Sequence, residues 1–216
     1  MNFNFKLTAK LIIGLTIILI NASCGKSNNG TSTTNNTCGT SDYCIIFVSD
    51  TTTDGDIDGT GDNDGSNGIE EADTICNADS NKPNSSSYKA MIVDGTNRVA
   101  CTTSGCSGGT GEHVDWVLLP STEYRRSDGS TTIGTTTTAG VFSFPLSNSI
   151  DPGTPIETWT GLEETSWITH SNICASWTDD TASSTGRTHP TTEDDLISNF
   201  NSGCNGNHYK LYCVEQ

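Results

Sequence analysis

Between Asp50 and Glu71 the chain reads DTTTDGDIDGTGDNDGSNGIEE. Carboxylates interleaved with glycine put hard oxygen ligands on a backbone that can wrap a small ion, and that is the chemistry of calcium coordination. One register sets Thr60, Asp62, Asp64, Gly65, Ser66, Gly68, Ile69 and Glu71 close to a calcium loop, with glycine at the sharp turn and a carboxylate able to bind through both oxygens at its end. Threonine stands there in place of the leading aspartate. A second register, from Asp54, has Asp56, Asp58, Gly59 and Asp62 in place but ends on Gly65. Both are incomplete, and no pair of flanking helices is evident. A solvated acidic loop therefore competes with the reading of Thr60, Asp62, Asp64, Ser66 and Glu71 as ligands, and the defects favour the loop slightly. A calcium ion held there would order the loop rather than take part in catalysis.

The remaining chemistry-bearing residues are scattered. His113 and Asp115 in GEHVDW offer a single imidazole, His170 lies four residues before Cys174, and His189 and His208 have no partner at a useful spacing. None of this matches zinc-ligand spacing, so the histidines are read as loop or surface residues. No nucleophile elbow, zinc-protease pair or phosphate-cradling glycine loop occurs, and no Ser or Thr is singled out by its context. The chain is not expected to be an enzyme. Trp116 and Trp159 sit inside apolar runs and are expected to pack in the core. Trp167 and Trp177 lie in polar surroundings and are expected to be partly exposed, as candidates for contact with a partner.

The chain has 216 residues, 32% of them hydrophobic, with 26 acidic and 10 basic side chains for a net charge of -16. That charge disfavours nucleic acid, polyanionic saccharide and anionic lipid as partners, and favours cations and basic protein surfaces. The length suits one domain plus a leader. Nine cysteines in so polar a chain point to an oxidising compartment, where disulfides supply stability that a lean core lacks.

Lys6 and Lys10 precede LIIGLTIILI, Leu11 to Ile20. Ten such residues suit the apolar region of an export signal and fall short of the roughly 20 needed to cross a bilayer. Asn21-Ala22-Ser23-Cys24 follows and resembles a bacterial lipobox, in which the cysteine receives a diacylglyceryl group and becomes the new N-terminus. Asn21 departs from the usual aliphatic residue there, a departure that the looser lipoboxes of spirochaetes tolerate. Cys24 is also the odd cysteine of nine. Several acyl chains on one residue anchor a protein where a single chain holds it only marginally. Residues 1–23 thus read as a lipoprotein signal peptide, and 24–42 as a lipidated N-terminus and flexible tether. GKSNNGTSTTNNT, Gly25 to Thr37, has no apolar residue to offset the entropy of ordering.

Residues 43–216 read as the folded domain. CIIFVS (Cys44–Ser49) predicts a buried strand, and GIEEADTICNAD a short helix with Ile69, Ala72 and Cys76 on one side. YKAMIV predicts a strand with Tyr88, Ala90 and Ile92 on one face, and HVDWVLLP one with Val114, Trp116 and Leu118. SDGS (127–130) is a turn, and STTIGTTTT an exposed loop or edge hairpin. VFSF (Val141–Phe144) and TWTGL (Thr158–Leu162) are core candidates. HYKLYCVEQ predicts a closing strand with Tyr209, Leu211 and Cys213 on one face. The expected class is α+β, loop-rich and disulfide-stapled, with few short helices.

VFSFPLSNSI, TWTGLEETSWITHSNICASWTDDTASSTGRT and SGCNGNHYKLYCVEQ, preceded by FVSDTTTDG, EEADTICN, YKAMIVDGTNRVAC and VDWVLLPSTEYRR, resemble the endostatin branch of the C-type-lectin-like fold. More closely, they resemble the endostatin-like lipoproteins of pathogenic leptospires, over roughly residues 44–216. The resemblance implies disulfides Cys76–Cys213 and Cys174–Cys204; proximity then leaves Cys38 with Cys44 and Cys101 with Cys106. It also implies an outer-membrane, surface-displayed adhesin for laminin and fibronectin, with factor H or plasminogen as further partners. The calcium tripeptides of sugar-binding lectins are absent, and so are the zinc-binding histidines and heparin-binding arginines of vertebrate endostatin. Two other readings are a structural envelope lipoprotein with no host ligand and, further behind, a secreted hydrolase.

Overall fold

A computed structural model describes residues 38, 41–60, 67–153, 157–181, 185–190, 200–205 and 208–216. The β-branched and aromatic run CIIFV forms strand β1 (Cys44–Val48), buried along its whole length. Helix α1 (Gly68–Ala78) starts where the Asn67 side chain accepts hydrogen bonds from the amides of Ile69 (3.1 Å) and Glu70 (3.2 Å). These are two of the donors that a helix N-terminus leaves without partners. Glu70 and Glu71 add negative charge in the first turn, where the helix dipole favours it. Its buried face carries Ile69, Ala72 and Cys76, as the spacing predicts, together with Ile75.

Strands β2 (Tyr88–Ala90), β3 (Glu123–Arg125) and β4 (Thr132–Thr135) follow, then β5 (Glu157–Trp159), a four-residue helical turn α2 (Cys174–Trp177), β6 (Thr185–Pro190), β7 (Phe200–Gly203) and β8 (Tyr212–Glu215). Five strands form one sheet in the order β2-β8-β1-β3-β4, and three form another in the order β5-β6-β7. All pairings are antiparallel except β1 with β3. Apolar residues cover both faces of the larger sheet. Ile45, Phe47, Leu211 and Cys213 pack with α1, Trp159 and Trp177 on one side. Ile46, Val48, Tyr212 and Val214 pack with Tyr124, Phe142 and Trp167 on the other. Burial on both sides explains why CIIFV is apolar at every position instead of at alternate ones.

The larger sheet is closed at its rims. Asn77 of α1 meets the outer edge of β2 as a strand would, accepting from the Tyr88 amide (2.9 Å) and donating to the Tyr88 carbonyl (2.7 Å). Asp73 accepts from the Ala90 amide at 2.7 Å. On the far rim, the Ser147 amide donates to the Ile133 carbonyl (2.9 Å) and the Asn148 side chain to the Thr132 carbonyl (2.8 Å). STTIGTTTT therefore contributes an edge strand in a hairpin with β3.

The domain is mixed α+β, mostly strand and loop, with two short helical segments and four disulfides. The bridges are Cys38–Cys44, Cys76–Cys213, Cys101–Cys106 and Cys174–Cys204. The first and third lie in the core that holds Trp167, the other two in the core that holds Trp159 and Trp177.

Three expectations change. Tyr88, Ala90 and Ile92 do share a face, but Met91 and Val93 on the opposite face are buried too, because the chain runs between the two cores. HVDWVLLP forms no strand beyond a single bridge from Val114 to Val99: Asp115 has φ +43°, outside the extended region, and Val114 is 46% exposed while Val117 and Leu118 are buried. Of the tryptophan expectations, that for Trp159 holds, since it is fully buried, and those for the other three do not. Trp167 (1% exposed) and Trp177 (0%) are core residues, and Trp116 is only partly buried. Residues distant in sequence enclose them: Phe144 stacks on Trp167 with centroids 5.9 Å apart, and Trp177 lies 5.6 Å from Trp159.

Cys76–Cys213 ties α1 to β8 across 137 residues. Bridges that close long loops restrict the unfolded chain most. Urea denaturation of Cys76→Ser/Cys213→Ser should show a loss of about 2–5 kcal/mol, larger than the loss for Cys101→Ser/Cys106→Ser, whose bridge spans 5 residues.

Candidate functional site

The first half of the acidic stretch is docked onto the domain. Burial alone would raise the Asp79 pKa, but the amides of Asp50 (2.9 Å), Thr51 (3.0 Å) and Asn81 (2.8 Å) donate to its carboxylate and hold it below the usual range. Thr53 pairs with Tyr209, and the Gly55 amide donates to the Cys204 carbonyl at 2.9 Å. Asp56 pairs with Thr178, and Ile57 is fully buried. Within this segment the Asp54 carboxylate accepts from the Asp56 amide (3.1 Å), and the Asp56 carboxylate accepts from the Gly59 amide (3.1 Å).

Of the five residues read as calcium ligands, Asp62, Asp64 and Ser66 lie outside the described residues, and Thr60 is described in backbone only, ending a 3-10 turn (Asp58–Thr60). Glu71 is on the buried side of α1, 7% exposed. Among the described residues no three His, Cys, Asp or Glu side chains are grouped to hold a metal ion. Cys24, expected to carry lipid, also lies outside the described residues, as do residues 1–23, expected to be a signal peptide.

Beside the acidic segment, the exposed side of α1 borders an open recess of about 370 Å³. Glu70, Asp73, Asp115 and Lys89 line it, with the amides of Asn67 and Asn97. Under it lies Arg98, with no exposed surface. The Arg98 guanidinium donates to both Asp73 oxygens (2.9 and 2.8 Å), to Asp115 Oδ2 (2.5 Å from Nη2), to the Asp115 carbonyl (3.0 Å) and to the Ala90 carbonyl (2.7 Å). Burial by itself would lower the Arg98 pKa; Asp73 and Asp115 outweigh it and raise it. Asp115 is the reverse case. Its burial pushes upward, while ion pairs with Lys89 and Arg98 hold it below the usual carboxylate range. The recess can hold a cationic or hydrogen-bonding group.

A second recess of about 320 Å³ has Val141, Phe142, Phe144 and Trp167 as an apolar lining, with hydroxyls of Thr137 and Thr165 at its rim. Next to it, sequence reasoning missed Glu112, whose carboxylate accepts from the amides of Thr102 (2.7 Å), Thr103 (2.7 Å) and Gly108 (2.5 Å), and from both threonine hydroxyls. Those donors, the Thr103 hydroxyl foremost, bring its pKa to about 2. The signal available was the short CTTSGC loop followed by an acid. Among the described residues the histidines join no metal-ligating group. The His113 ring is 3.7 Å from a sulfur already in a disulfide, His170 accepts from the Asn172 amide (2.9 Å), His208 is exposed, and the His189 side chain lies outside the described residues.

Fold and site together define a disulfide-stapled α+β domain with a docked acidic segment and shallow surface recesses. Residues 59–194 match the profile of a protein family of unknown function, DUF1554, and the chain belongs to that family. No curated protein gives a significant match.

Asp79 and Asp115 both ionise more readily in the folded chain than the ordinary aspartate value of about 3.9. Their contribution to stability is therefore full above about pH 4 and is lost as pH falls through the lower folded values. Stability measured by urea should decline below about pH 4, and Asp79→Asn should flatten that decline while lowering stability at neutral pH. Because Glu71 is buried and the Asp54 and Asp56 carboxylates are engaged in turns, the melting temperature should not move on adding millimolar calcium. A rise would favour the ligand reading of Thr60, Asp62, Asp64, Ser66 and Glu71 over the solvated loop.

Proposed function

We propose that the chain is a lipid-anchored binding protein of the cell envelope, displayed at the outer membrane and acting as an adhesin. Residues 1–23 direct export, Cys24 bears the lipid, 24–42 form the tether, and 43–216 the binding domain, which takes the endostatin-type variant of the lectin-like fold. Cysteine parity is the observation that carries this reading. Four disulfides use eight of the nine cysteines, and the one left over, Cys24, stands directly behind the apolar run Leu11–Ile20. The long bridges Cys76–Cys213 and Cys174–Cys204 agree with the pairs that the endostatin-like resemblance implies.

The same resemblance supplies the partners: laminin and fibronectin first, then factor H and plasminogen. An acidic chain meets such proteins through their basic patches, which speeds encounter and makes binding salt-sensitive.

The full-length lipidated chain, in detergent micelles, should bind at least one of these four proteins at low ionic strength, and binding should weaken as salt is raised. No binding to any of the four overturns the adhesin reading, and binding indifferent to salt removes its electrostatic basis. Mass spectrometry should find diacylglycerol on Cys24; an unmodified thiol in the mature chain would falsify the anchor.

A further inference from the structure

The turn Cys174–Trp177 is left-handed. Its four consecutive residues have φ of 44°, 51°, 66° and 66°, and none is glycine. In that conformation each Cβ crowds the following carbonyl, so single residues visit it but runs of them do not persist unless the surroundings hold them. Three attachments do so here. Cys174 is bridged to Cys204. The Trp177 indole donates to the Val93 carbonyl at 2.9 Å. The backbone closes on itself through Trp177 to Ile173 (2.8 Å) and Thr178 to Cys174 (3.0 Å).

The acidic segment rests on the same bridge. A Cβ at Gly55 would come within 2.5 Å of both Cys174 Sγ and Cys204 Cβ, so only glycine lets the backbone lie this close. The Gly55 amide bonds to the Cys204 carbonyl, Asp56 pairs with Thr178, and Ile57 packs in the cluster that contains Cys174, Trp177 and Cys204. Attachment of the segment and handedness of the turn thus share one covalent support.

We propose that the Cys174–Cys204 disulfide is a redox-sensitive clasp: it holds the turn in its left-handed form, and opening it releases the acidic segment from Asp54 to Thr60. Exchange with a dithiol reductant breaks the S–S bond, leaves Cys174 and Cys204 as thiols each carrying one proton, and oxidises the reductant to its own disulfide. Both cysteines are buried, so exchange follows a local opening of the segment. Once the bridge is gone, Cys174 to Trp177 relax towards ordinary backbone, and Gly55 and Asp56 lose the surface they pair with. This inference does not depend on the adhesin reading.

Hydrogen exchange on the full-length chain tests it, read at Gly55–Asp58 and at Cys174–Thr178, with β1 and β8 as internal reference. In Cys174→Ser/Cys204→Ser, a stand-in for the reduced state, exchange in both segments should quicken at least about tenfold, with the reference strands unchanged. Adding Ala175→Gly and Ser176→Gly should restore much of the protection, because glycine takes positive φ freely; Ala175 is exposed and Ser176 half-buried, so little packing is lost. Protection that persists without the bridge, or that glycine fails to restore, overturns the proposal. If the serine variant does not fold, the two glycines in the disulfide-intact chain decide. Their relief of strain should raise the melting temperature by about 2–4 °C, and a fall overturns it.

Discussion

An arginine with no exposed surface fixes how helix and sheet meet. Each N–H of the Arg98 guanidinium that points inward must find an acceptor, since a buried cation left unpaired costs several kcal/mol (about 3–5). The acceptors come from three places: Asp73 on α1, the Ala90 carbonyl at the end of β2, and Asp115 in the loop before Val117. Shifting α1 by one turn would remove Asp73 from reach, so the helix has one seat. The same Asp73 takes the Ala90 amide, which couples that seat to the edge of the sheet. Asp94, itself buried, holds the turn that delivers Arg98, accepting from the amides of Thr96, Asn97 and Arg98. A network of this kind specifies geometry more than it adds net stability.

Stability comes instead from two lean cores and their cross-links. With 32% hydrophobic residues the chain cannot build one thick interior. It lays one apolar layer on each face of the larger sheet and places two disulfides in each. Large aromatic rings carry much of the packing: Trp159, Trp167 and Trp177 are among the largest fully buried side chains. Such rings bring more area per residue than aliphatics, which suits a chain with few apolar positions.

Much of this was readable from residue patterns because the signals were local. CIIFV, the α1 face of Ile69, Ala72 and Cys76, and the alternation Tyr209, Leu211, Cys213 each follow from the period of one element. The chemistry of the site was less legible. The acidic stretch reads as free loop because the groups that dock it, Asp79, Cys204, Thr178 and Tyr209, stand far away in the chain. Trp167 and Trp177 have polar sequence neighbours, and only tertiary packing covers them. HVDWVLLP carries a strand-like alternation that loses to the capture of Asp115 by Lys89 and Arg98. Nothing in CASW announces a left-handed turn, since Ala175 and Ser176 are ordinary right-handed residues unless a bridge holds them otherwise.

The sealed rims of the larger sheet bear on how the domain meets other molecules. Asn77 and Asp73 occupy the hydrogen-bonding groups of β2, and the stretch around Ser147 and Asn148 does the same beyond β4. A visiting peptide cannot lengthen this sheet by adding itself as a sixth strand, and neighbouring copies cannot stack edge to edge through it. Identical copies of the domain are in this way kept from growing into ribbons through this sheet.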